Sequence, residues 1–281
     1  MPMDRYVVAG NPVEHSQSPF IHAEFARQTG QAMEYGRLLC PLDGFAASMR
    51  ALADSGAKGC NITVPFKFEA YALAARQSER ARLGQAANVL LFELAGWLAD
   101  NVDGVGLVRD IEANAGVSLA GRRVLLIGAG GAAAGALGPF LGARPREVVV
   151  ANRTLKKAQE LVERHRPVAG ATLLRAATLD DCGNAFDVVV NGSASSLQGT
   201  GVPVAASVLA HGALAVDMMY GPAAQPFLDW AAAHGARGHD GLGMLVEQAV
   251  ATFELYRGVR ADGAPVLSAL RQRLREKSAH P

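Results

Sequence analysis

The feature that most constrains the fold is a glycine-rich run between a buried-strand pattern and an alanine-rich helix pattern. The strand pattern 122–127, apolar from Val124, leads directly into Gly128-Ala129-Gly130-Gly131. A helix pattern continues to Leu141, and another strand pattern follows at 147–151. Glycines at such a junction let the backbone approach a pyrophosphate that sits on the helix N-terminus. The run therefore predicts a Rossmann-type dinucleotide site lined by Gly128, Ala129, Gly130, Gly131 and Ala132.

The residues after the next strand bear on which dinucleotide binds. Asn152 lies 24 residues after Gly128, close to where a Rossmann domain that binds NAD carries an acidic residue. An amide followed by cations attracts a 2′-phosphate, whereas a carboxylate would repel it. We therefore predict NADP in preference to NAD, with contacts from Asn152, Arg153, Thr154 and Lys157. A basic first turn of the helix 155–165, without a ligand, is the alternative interpretation.

The length and the order of patterns predict two α/β domains. A chain of 281 residues is long enough for two cores, and strand patterns alternate with helix patterns, which implies largely parallel sheets with right-handed crossovers. We predict an open α/β catalytic domain of residues 1–103, joined by the C-terminal helices at about 247–281, and a Rossmann-type domain of residues 104–246.

Composition argues against several classes of protein. The chain is 50% hydrophobic and 19% charged, with a formal net charge of +1, so neither nucleic acid nor an anionic membrane is an expected partner. The N-terminus has no basic and apolar leader, and no apolar run approaches about 18 residues. We expect a cytoplasmic enzyme. Cys40, Cys60 and Cys182 lack the spacing of a zinc or redox motif, so we expect no metal and no disulfide.

Lys67 lies where a cation is mildly unfavourable. Pro65 suits the first turn of a helix and Thr63 can cap that helix, so Lys67 falls near the positive end of the helix dipole, which disfavours a cation by about 0.3 to 1 kcal/mol. A lysine that gives and takes a proton benefits from such a position. An exposed lysine without a function fits the spacing equally well.

Other polar residues follow predicted strand ends and could share one pocket with Lys67. Ser16 and Ser18, beside a helix that begins near Pro19, offer hydroxyl and backbone donors to a carboxylate. Asp103 precedes a helix and can orient a lysine as an ionised partner. A capped helix alone would explain the serines, and capping alone would explain Asp103.

Seven ordered blocks make the chain similar to the shikimate dehydrogenase family over essentially its whole length. The blocks are Gly10-Asn11-Pro12 with 15–19, 61–67, Asp100-Asn101 with Asp103-Gly104, 128–131, 152–154, Asp217-Met218 with Tyr220, and 240–245 with Gln248. The resemblance implies a Rossmann NADP domain, an N-terminal catalytic domain and a substrate cleft between them. It also implies reversible hydride transfer between NADPH and the ketone of 3-dehydroshikimate.

The resemblance further implies roles for residues at matching positions. Lys67 and Asp103 would be the catalytic acid–base pair, and Ser16 and Ser18 would hold the substrate carboxylate. Ring hydroxyls would be bound by Asn61, Thr63, Asn88, Asp103 and Gln248, with Tyr220 also contacting the substrate. The cofactor site would add Asn191, Met218, Gly241 and Met244. We expect a small cyclic hydroxy acid as the substrate and a monomer or homodimer as the assembly.

The sequence departs from the family pattern at three places. Val89 and Val102 stand where the family usually carries threonine, and Gly192-Ser193-Ala194 replaces the usual Ala-Thr-Ser. A missing hydroxyl beside the reacting group would remove a hydrogen bond of about 0.5 to 1.5 kcal/mol. These departures leave two alternatives: a divergent enzyme acting on quinate, aminoshikimate or another cyclic hydroxy acid, and a non-catalytic NADP-binding sensor.

Overall fold

The chain divides into two compact units. The computed structural model describes residues 3–193 and 202–279, so Ala194 lies outside the described residues. The first unit comprises Met1–Gly106 and Val246–Pro281, and the second comprises Leu107–Leu245. The predicted catalytic and NADP domains, 1–103 with about 247–281 and 104–246, stay predictions.

The first unit contains a mixed six-stranded sheet. Its strands are β1 (Asp4–Gly10), β2 (Met33–Leu39), β3 (Gly59–Ile62), β4 (Arg76–Gln77), β5 (Val89–Leu91) and β6 (Leu98–Asp100), in the order β2-β1-β3-β5-β6-β4. β1 pairs in parallel with β2 and β3, while β5 pairs antiparallel with β3 and β6. β5 and β6 therefore form a hairpin.

The second unit contains a six-stranded sheet in which every paired strand is parallel. Its strands are β7 (Arg123–Ile127), β8 (Glu147–Ala151), β9 (Leu173–Ala177), β10 (Phe186–Asn191), β11 (Leu209–Asp217) and β12 (Arg237–His239), in the order β12-β11-β10-β7-β8-β9. Strands buried on both faces read as continuous apolar runs, as in Val148-Val149-Val150. The strand order reverses at β7, which is where open sheets of this kind bind ligands.

Helices connect these strands. They are α1 (Ser18–Thr29), α2 (Phe45–Asp54), α3 (Lys67–Leu73), α4 (Glu79–Gly84), α5 (Asp103–Arg109), α6 (Gly131–Gly142), α7 (Leu155–His165), α8 (Gln225–Ala233), α9 (Leu242–Arg257) and α10 (Gly263–Ala279). A π-helical turn, Asp110–Asn114, directly follows α5. No helix within the described ranges is both long and apolar enough to span a bilayer.

The two faces of the first sheet have different cores, because alternate side chains of each strand point to opposite sides. Val7 and Ala9 of β1 join an apolar cluster with Phe45 of α2. Tyr6 points to the other face, where it stacks on Tyr256 of α9 with ring centroids 4.2 Å apart. Asn61 of β3, one of the residues predicted to bind substrate, contacts the Tyr256 hydroxyl on this second face.

The start of α3 differs from the prediction. The helix begins at Lys67 rather than at Pro65, and no side chain caps it. Thr63 contributes its backbone instead: its carbonyl oxygen accepts the N–H of Phe66 at 3.2 Å, so the four residues before the helix form a turn. The predicted Thr63 cap is therefore wrong, while Lys67 does lie in the first turn.

Candidate active site

Lys67 and Asp103 are in direct contact in the first unit. The Nζ atom of Lys67 lies 2.5 Å from Oδ2 of Asp103, and the two side chains are 14% and 8% exposed. The first turn of α3 carries the lysine and the first residue of α5 carries the aspartate. A charge-assisted hydrogen bond with so little exposure holds both groups in one geometry.

Asn88 fixes the same carboxylate from its other side. Its side-chain nitrogen donates to Oδ1 of Asp103 at 2.9 Å, and its side-chain oxygen accepts the N–H of Val102 at 2.9 Å. The same nitrogen lies 3.3 Å from Oε1 of Gln248. Both carboxylate oxygens of Asp103 thus have donors, and Asn88 connects the aspartate with Gln248.

Asp103 does not use its carboxylate to cap α5. Its own backbone N–H donates to Oδ1 of Asn101 at 3.1 Å, and Asn101 is held in turn by donating to the Ala86 carbonyl at 2.9 Å. Asn101 therefore supports the start of α5. The capping interpretation of Asp103 is wrong, and Asn101 is a supporting residue to which sequence reasoning gave no role.

Gln248 approaches the start of α5 very closely. A Cβ placed on Gly106 would lie 2.5 Å from the Gln248 backbone nitrogen, so only glycine allows this contact. Gln248 is itself buried. The glycine one turn after Asp103 therefore lets α9 pack beside the carboxylate.

The two predicted carboxylate-binding serines are adjacent. The Ser16 hydroxyl lies 3.2 Å from the Ser18 hydroxyl and also accepts the Ser18 backbone N–H at 3.3 Å. α1 begins at Ser18 itself, with Gln17 before it and no side-chain cap. Ser18 is therefore the first residue of α1 and not its N-cap, and the Ser16 side chain accepts the Ser18 backbone N–H.

Asn61 lies at the end of β3 within a buried hydroxyl network. Its side-chain oxygen lies 2.6 Å from the Tyr35 hydroxyl and 3.1 Å from the Tyr256 hydroxyl. Its side-chain nitrogen donates to Thr252 Oγ1 at 3.1 Å. Tyr35, Tyr256 and Thr252 had no predicted role. Only the register of β2 and the packing of α9 bring them to Asn61, and no local sequence motif indicates either.

Thr63 follows β3 as a half-buried residue. Its Cγ2 methyl group occupies the space that a side chain at Gly10 would need. The Thr63 backbone N–H donates to the Ala9 carbonyl at 2.9 Å. The end of β1 therefore fixes where Thr63 stands, close in sequence to Lys67.

The two valines that depart from the family pattern are core residues. Val89 and Val102 are both fully buried and form an apolar cluster with Tyr6 and Tyr256. A hydroxyl at either place would enter a cluster built from aromatic and aliphatic side chains. Both valines therefore contribute to packing, and the Lys67–Asp103 contact is present alongside them.

The glycine run of the second unit forms the junction between β7 and α6. Gly128 has φ of +106°, and a Cβ there would lie 3.0 Å from the Gly192 carbonyl oxygen. A Cβ on Gly130 would meet nothing within 4 Å, so open space lies above the backbone where α6 begins. Gly131 starts that helix. The junction has the room and the helix N-terminus that a pyrophosphate needs.

The predicted 2′-phosphate residues follow the end of β8. Asn152 is half-buried and donates its side-chain N–H to the Thr154 carbonyl at 2.9 Å. Arg153, Thr154 and Lys157 are exposed. Among the described residues no carboxylate forms a salt bridge with Arg153 or Lys157. Both cations can therefore meet an incoming anion.

The remaining predicted cofactor residues lie at the same edge of the second sheet. Asn191 ends β10 and donates to Asp217 Oδ2 at 2.9 Å. Met218 follows β11, and its carbonyl oxygen leaves no space for a Cβ on Gly241. Met244, in the first turn of α9, is buried in the main core of this unit. Strand ends β7, β8, β10 and β11 therefore place this set of residues along one edge.

Tyr220 belongs to the second unit and follows β11 by a few residues. Burial raises the pKa of its hydroxyl above the usual value. The hydroxyl therefore stays protonated at neutral pH and can donate a hydrogen bond.

The cysteines are separate, buried and free. Desolvation raises the pKa of the Cys60 thiol, which makes the reactive thiolate scarce. Within the described parts of the chain, His, Cys, Asp and Glu form no group of three or more that could hold a metal ion.

A parallel sheet with a glycine-rich strand–helix junction, together with a buried lysine–carboxylate pair on another α/β unit, defines the class of nicotinamide-dependent dehydrogenases. Sequence models of three domains match this chain: the shikimate dehydrogenase substrate binding domain over residues 8–90, shikimate/quinate 5-dehydrogenase over 110–202, and the shikimate 5′-dehydrogenase C-terminal domain over 241–271. The chain belongs to the shikimate dehydrogenase family and is an oxidoreductase.

Individual relatives agree with this assignment. Shikimate dehydrogenase (NADP(+)) from Methylibium petroleiphilum is 61% identical over 276 residues, which covers 95% of this chain and 94% of the relative. An Ael1 enzyme from Pseudomonas putida has 47% identity and a TM-score of 0.86, covering 95% of this chain and 98% of its own. Shikimate 5-dehydrogenase from Thermus thermophilus, solved with NADP(H) and shikimate, has 29% identity and a TM-score of 0.84, covering 96% and 99%. The predicted family and fold class are confirmed.

Proposed function

We propose that this chain catalyses the reversible, NADP-dependent reduction of 3-dehydroshikimate to shikimate. The observation that carries the proposal is the contact of 2.5 Å between Lys67 Nζ and Asp103 Oδ2. A surface lysine would gain little from such a fixed, largely buried carboxylate. A lysine that exchanges a proton with a substrate hydroxyl needs a partner that orients it and stabilises its charged form.

Lys67 acts on the proton of the reacting hydroxyl. In the oxidative direction its neutral amine accepts that proton, and in the reductive direction its ammonium returns it. Asp103 orients the amine, and Asn88 holds the carboxylate by donating to its other oxygen at 2.9 Å. When bound, NADPH would supply the hydride for reduction and NADP⁺ would accept it in oxidation.

The residues of the second unit fit NADP. Open space above Gly130 leaves room for the pyrophosphate at the start of α6, with Gly128, Ala129, Gly131 and Ala132 around it. Arg153 and Lys157 offer exposed positive charge to the 2′-phosphate, beside Asn152 and Thr154. The relative from Methylibium petroleiphilum is a shikimate dehydrogenase (NADP(+)), which supports the predicted preference for this cofactor over NAD.

Substrate recognition is assigned to the first unit, which we propose as the catalytic domain, and the second unit is proposed as the NADP domain. Ser16 and Ser18 bind the substrate carboxylate. Ring hydroxyls are bound by Asn61, Thr63, Asn88, Asp103 and Gln248, and Tyr220 contributes from the second unit. The small cyclic hydroxy acid is the only partner proposed. The cytoplasmic location and the monomeric or homodimeric state stay predictions.

Val89 and Val102 give little support to a quinate enzyme or a sensor, because both pack in a buried apolar cluster. A rate screen of shikimate, quinate and aminoshikimate with NADP⁺ and NAD⁺ tests the proposal. We expect kcat/KM to be highest for shikimate with NADP⁺. Faster turnover of quinate would indicate the divergent enzyme, and NADP binding without turnover of any of the three acids would indicate the sensor.

A further inference from the structure

Hydrogen bonds around Asn61 determine which way its side-chain amide points. One side-chain atom lies 3.4 Å from the Asn88 carbonyl oxygen. A carbonyl oxygen only accepts hydrogen bonds, so the Asn61 atom that faces it must be the nitrogen. The opposite orientation would bring two acceptors together where the residue is only 6% exposed.

The side-chain oxygen of Asn61 consequently faces two tyrosines. Tyr35 and Tyr256 donate their hydroxyls to it at 2.6 and 3.1 Å. A carbonyl oxygen has two lone pairs, so these two donors fill its accepting capacity. Burial raises the pKa of both tyrosines well above the usual value, and both hydroxyls keep the proton that they donate.

We propose that Tyr35 and Tyr256 are positioning residues that present Asn61 to the substrate as a hydrogen-bond donor only. The inference rests on the proposed function, in which Asn61 binds a ring hydroxyl. With its oxygen occupied, Asn61 can offer only an N–H. The N–H that faces the Asn88 carbonyl at 3.4 Å makes the weaker of its two bonds, and it is the one available to a substrate oxygen.

Tyr35 is held by a ring contact as well as by its hydrogen bond to Asn61. The His22 ring stacks on it with centroids 4.1 Å apart and planes 5° apart. The stack fixes the ring whose hydroxyl reaches the Asn61 side-chain oxygen at 2.6 Å.

Tyr6 provides a matched control for removing the Tyr35 hydroxyl. It pairs with Tyr35 in the register of β1 and β2 and is also buried, but its hydroxyl donates to the Tyr256 carbonyl at 3.3 Å rather than to Asn61. We expect Tyr35→Phe to raise KM for shikimate roughly three- to tenfold, as for the loss of one hydrogen bond. The kcat of Tyr35→Phe should stay within about twofold of the wild-type value. Both kcat and KM of Tyr6→Phe should also stay within about twofold of the wild type.

A double-mutant cycle separates positioning from a general structural effect. If Tyr35 acts through Asn61, Tyr35→Phe should change KM by less than about twofold in an Asn61→Ala background. The inference would be overturned if the KM changes of Tyr35→Phe and Asn61→Ala multiplied in the double variant. It would also be overturned if Tyr6→Phe changed KM as much as Tyr35→Phe does.

The orientation can also be decided without a substrate. If the wild-type protein fails to oxidise shikimate, the proposed function is wrong, and the side-chain ¹⁵N–¹H resonances of Asn61 then provide the test. Their assignment comes from their loss in Asn61→Ala. A change in the chemical shifts of these Asn61 resonances in Tyr35→Phe and Tyr256→Phe, but not in Tyr6→Phe, would support the inference. Unchanged chemical shifts in all three variants would overturn it.

Discussion

Asn88 donates its side-chain N–H to the carboxylate oxygen of Asp103 that Lys67 does not use, at 2.9 Å. Replacing Asn88 with alanine removes this bond and leaves the Val102 N–H without its acceptor. We expect the free energy of unfolding to fall by roughly 1 to 3 kcal/mol and kcat to fall roughly tenfold, since the catalytic carboxylate loses one of its two fixed contacts.

Denaturant unfolding and steady-state kinetics measure the two effects. Asn114→Ala is the control, because the Asn114 side-chain N–H also donates to an aspartate: it lies 2.9 Å from Oδ1 of Asp110 in the second unit. An Asn88→Ala enzyme with the wild-type kcat would show that the carboxylate does not need this support.

Gly130 and Gly142 separate cofactor binding from stability. A Cβ at either position would meet nothing within 4 Å, so Gly130→Ala and Gly142→Ala should both unfold at or above the wild-type temperature. Only Gly130 stands where the backbone must approach a pyrophosphate. We expect Gly130→Ala to raise the Kd for NADP⁺ at least tenfold and Gly142→Ala to leave it unchanged, as measured by fluorescence titration. Equal affinities in both variants would argue against a pyrophosphate at this junction.

Arg153 and Arg146 provide a matched pair of exposed cations at opposite ends of β8. Arg153→Ala should raise KM for NADP⁺ roughly ten- to hundredfold, as expected for a hydrogen bond between charged groups, and leave KM for NAD⁺ nearly unchanged. Arg146→Ala should affect neither cofactor. An equal rise in KM for NADP⁺ and for NAD⁺ in Arg153→Ala would exclude the 2′-phosphate as the partner of Arg153.

His22 should make the fold sensitive to acid. Burial lowers the pKa of this histidine to about 3, and its neighbours Phe25, Tyr35, Phe253 and Tyr256 carry no charge at neutral or acidic pH. In the unfolded chain its pKa is about 6.5, so the unfolded state binds the additional proton. The contribution of neutral His22 to the free energy of unfolding is therefore fully present above about pH 6.5. Below that pH it falls by about 1.4 kcal/mol per pH unit until the folded pKa is reached.

The His22→Phe variant isolates this contribution, since a phenyl ring can keep the stack on Tyr35 and cannot titrate. The free energy of unfolding of this variant should fall less steeply between pH 6 and pH 4 than that of the wild type. The two slopes should differ by about 1.4 kcal/mol per pH unit. His165, whose pKa burial lowers to about 4, contributes equally to both proteins and cancels. Identical slopes would mean that His22 is accessible to protons in the folded state.

Local patterns predicted several elements of the second unit but not β9 or β12. β8 and α7 have the predicted bounds, Glu147–Ala151 and Leu155–His165, because an apolar strand between turns and an amphipathic helix are each encoded within a few residues. The glycine junction was recognised for the same reason. It combines a buried strand, a helix start and glycines in one continuous stretch.

Helix starts and the surroundings of Asn61 were predicted less well. Ser18, Thr63 and Asp103 resemble N-caps, yet an upstream side chain or a backbone turn satisfies these helix starts instead. Propensity identifies a residue that can cap but not the competing acceptor nearby. Tyr256 is 195 residues from Asn61 along the chain, and only the folded packing of α9 on β3 brings them together.

The most direct test of the central claim is kcat of Lys67→Met with shikimate and NADP⁺. Lys58→Met, at an exposed lysine of the same unit, is the control, and NADP⁺ binding should be unchanged in both variants. Loss of general acid–base catalysis predicts a fall in kcat of about 10² to 10⁴, with KM for shikimate changed little and Lys58→Met unaffected. A Lys67→Met enzyme that keeps more than about a third of the wild-type kcat would contradict the mechanism.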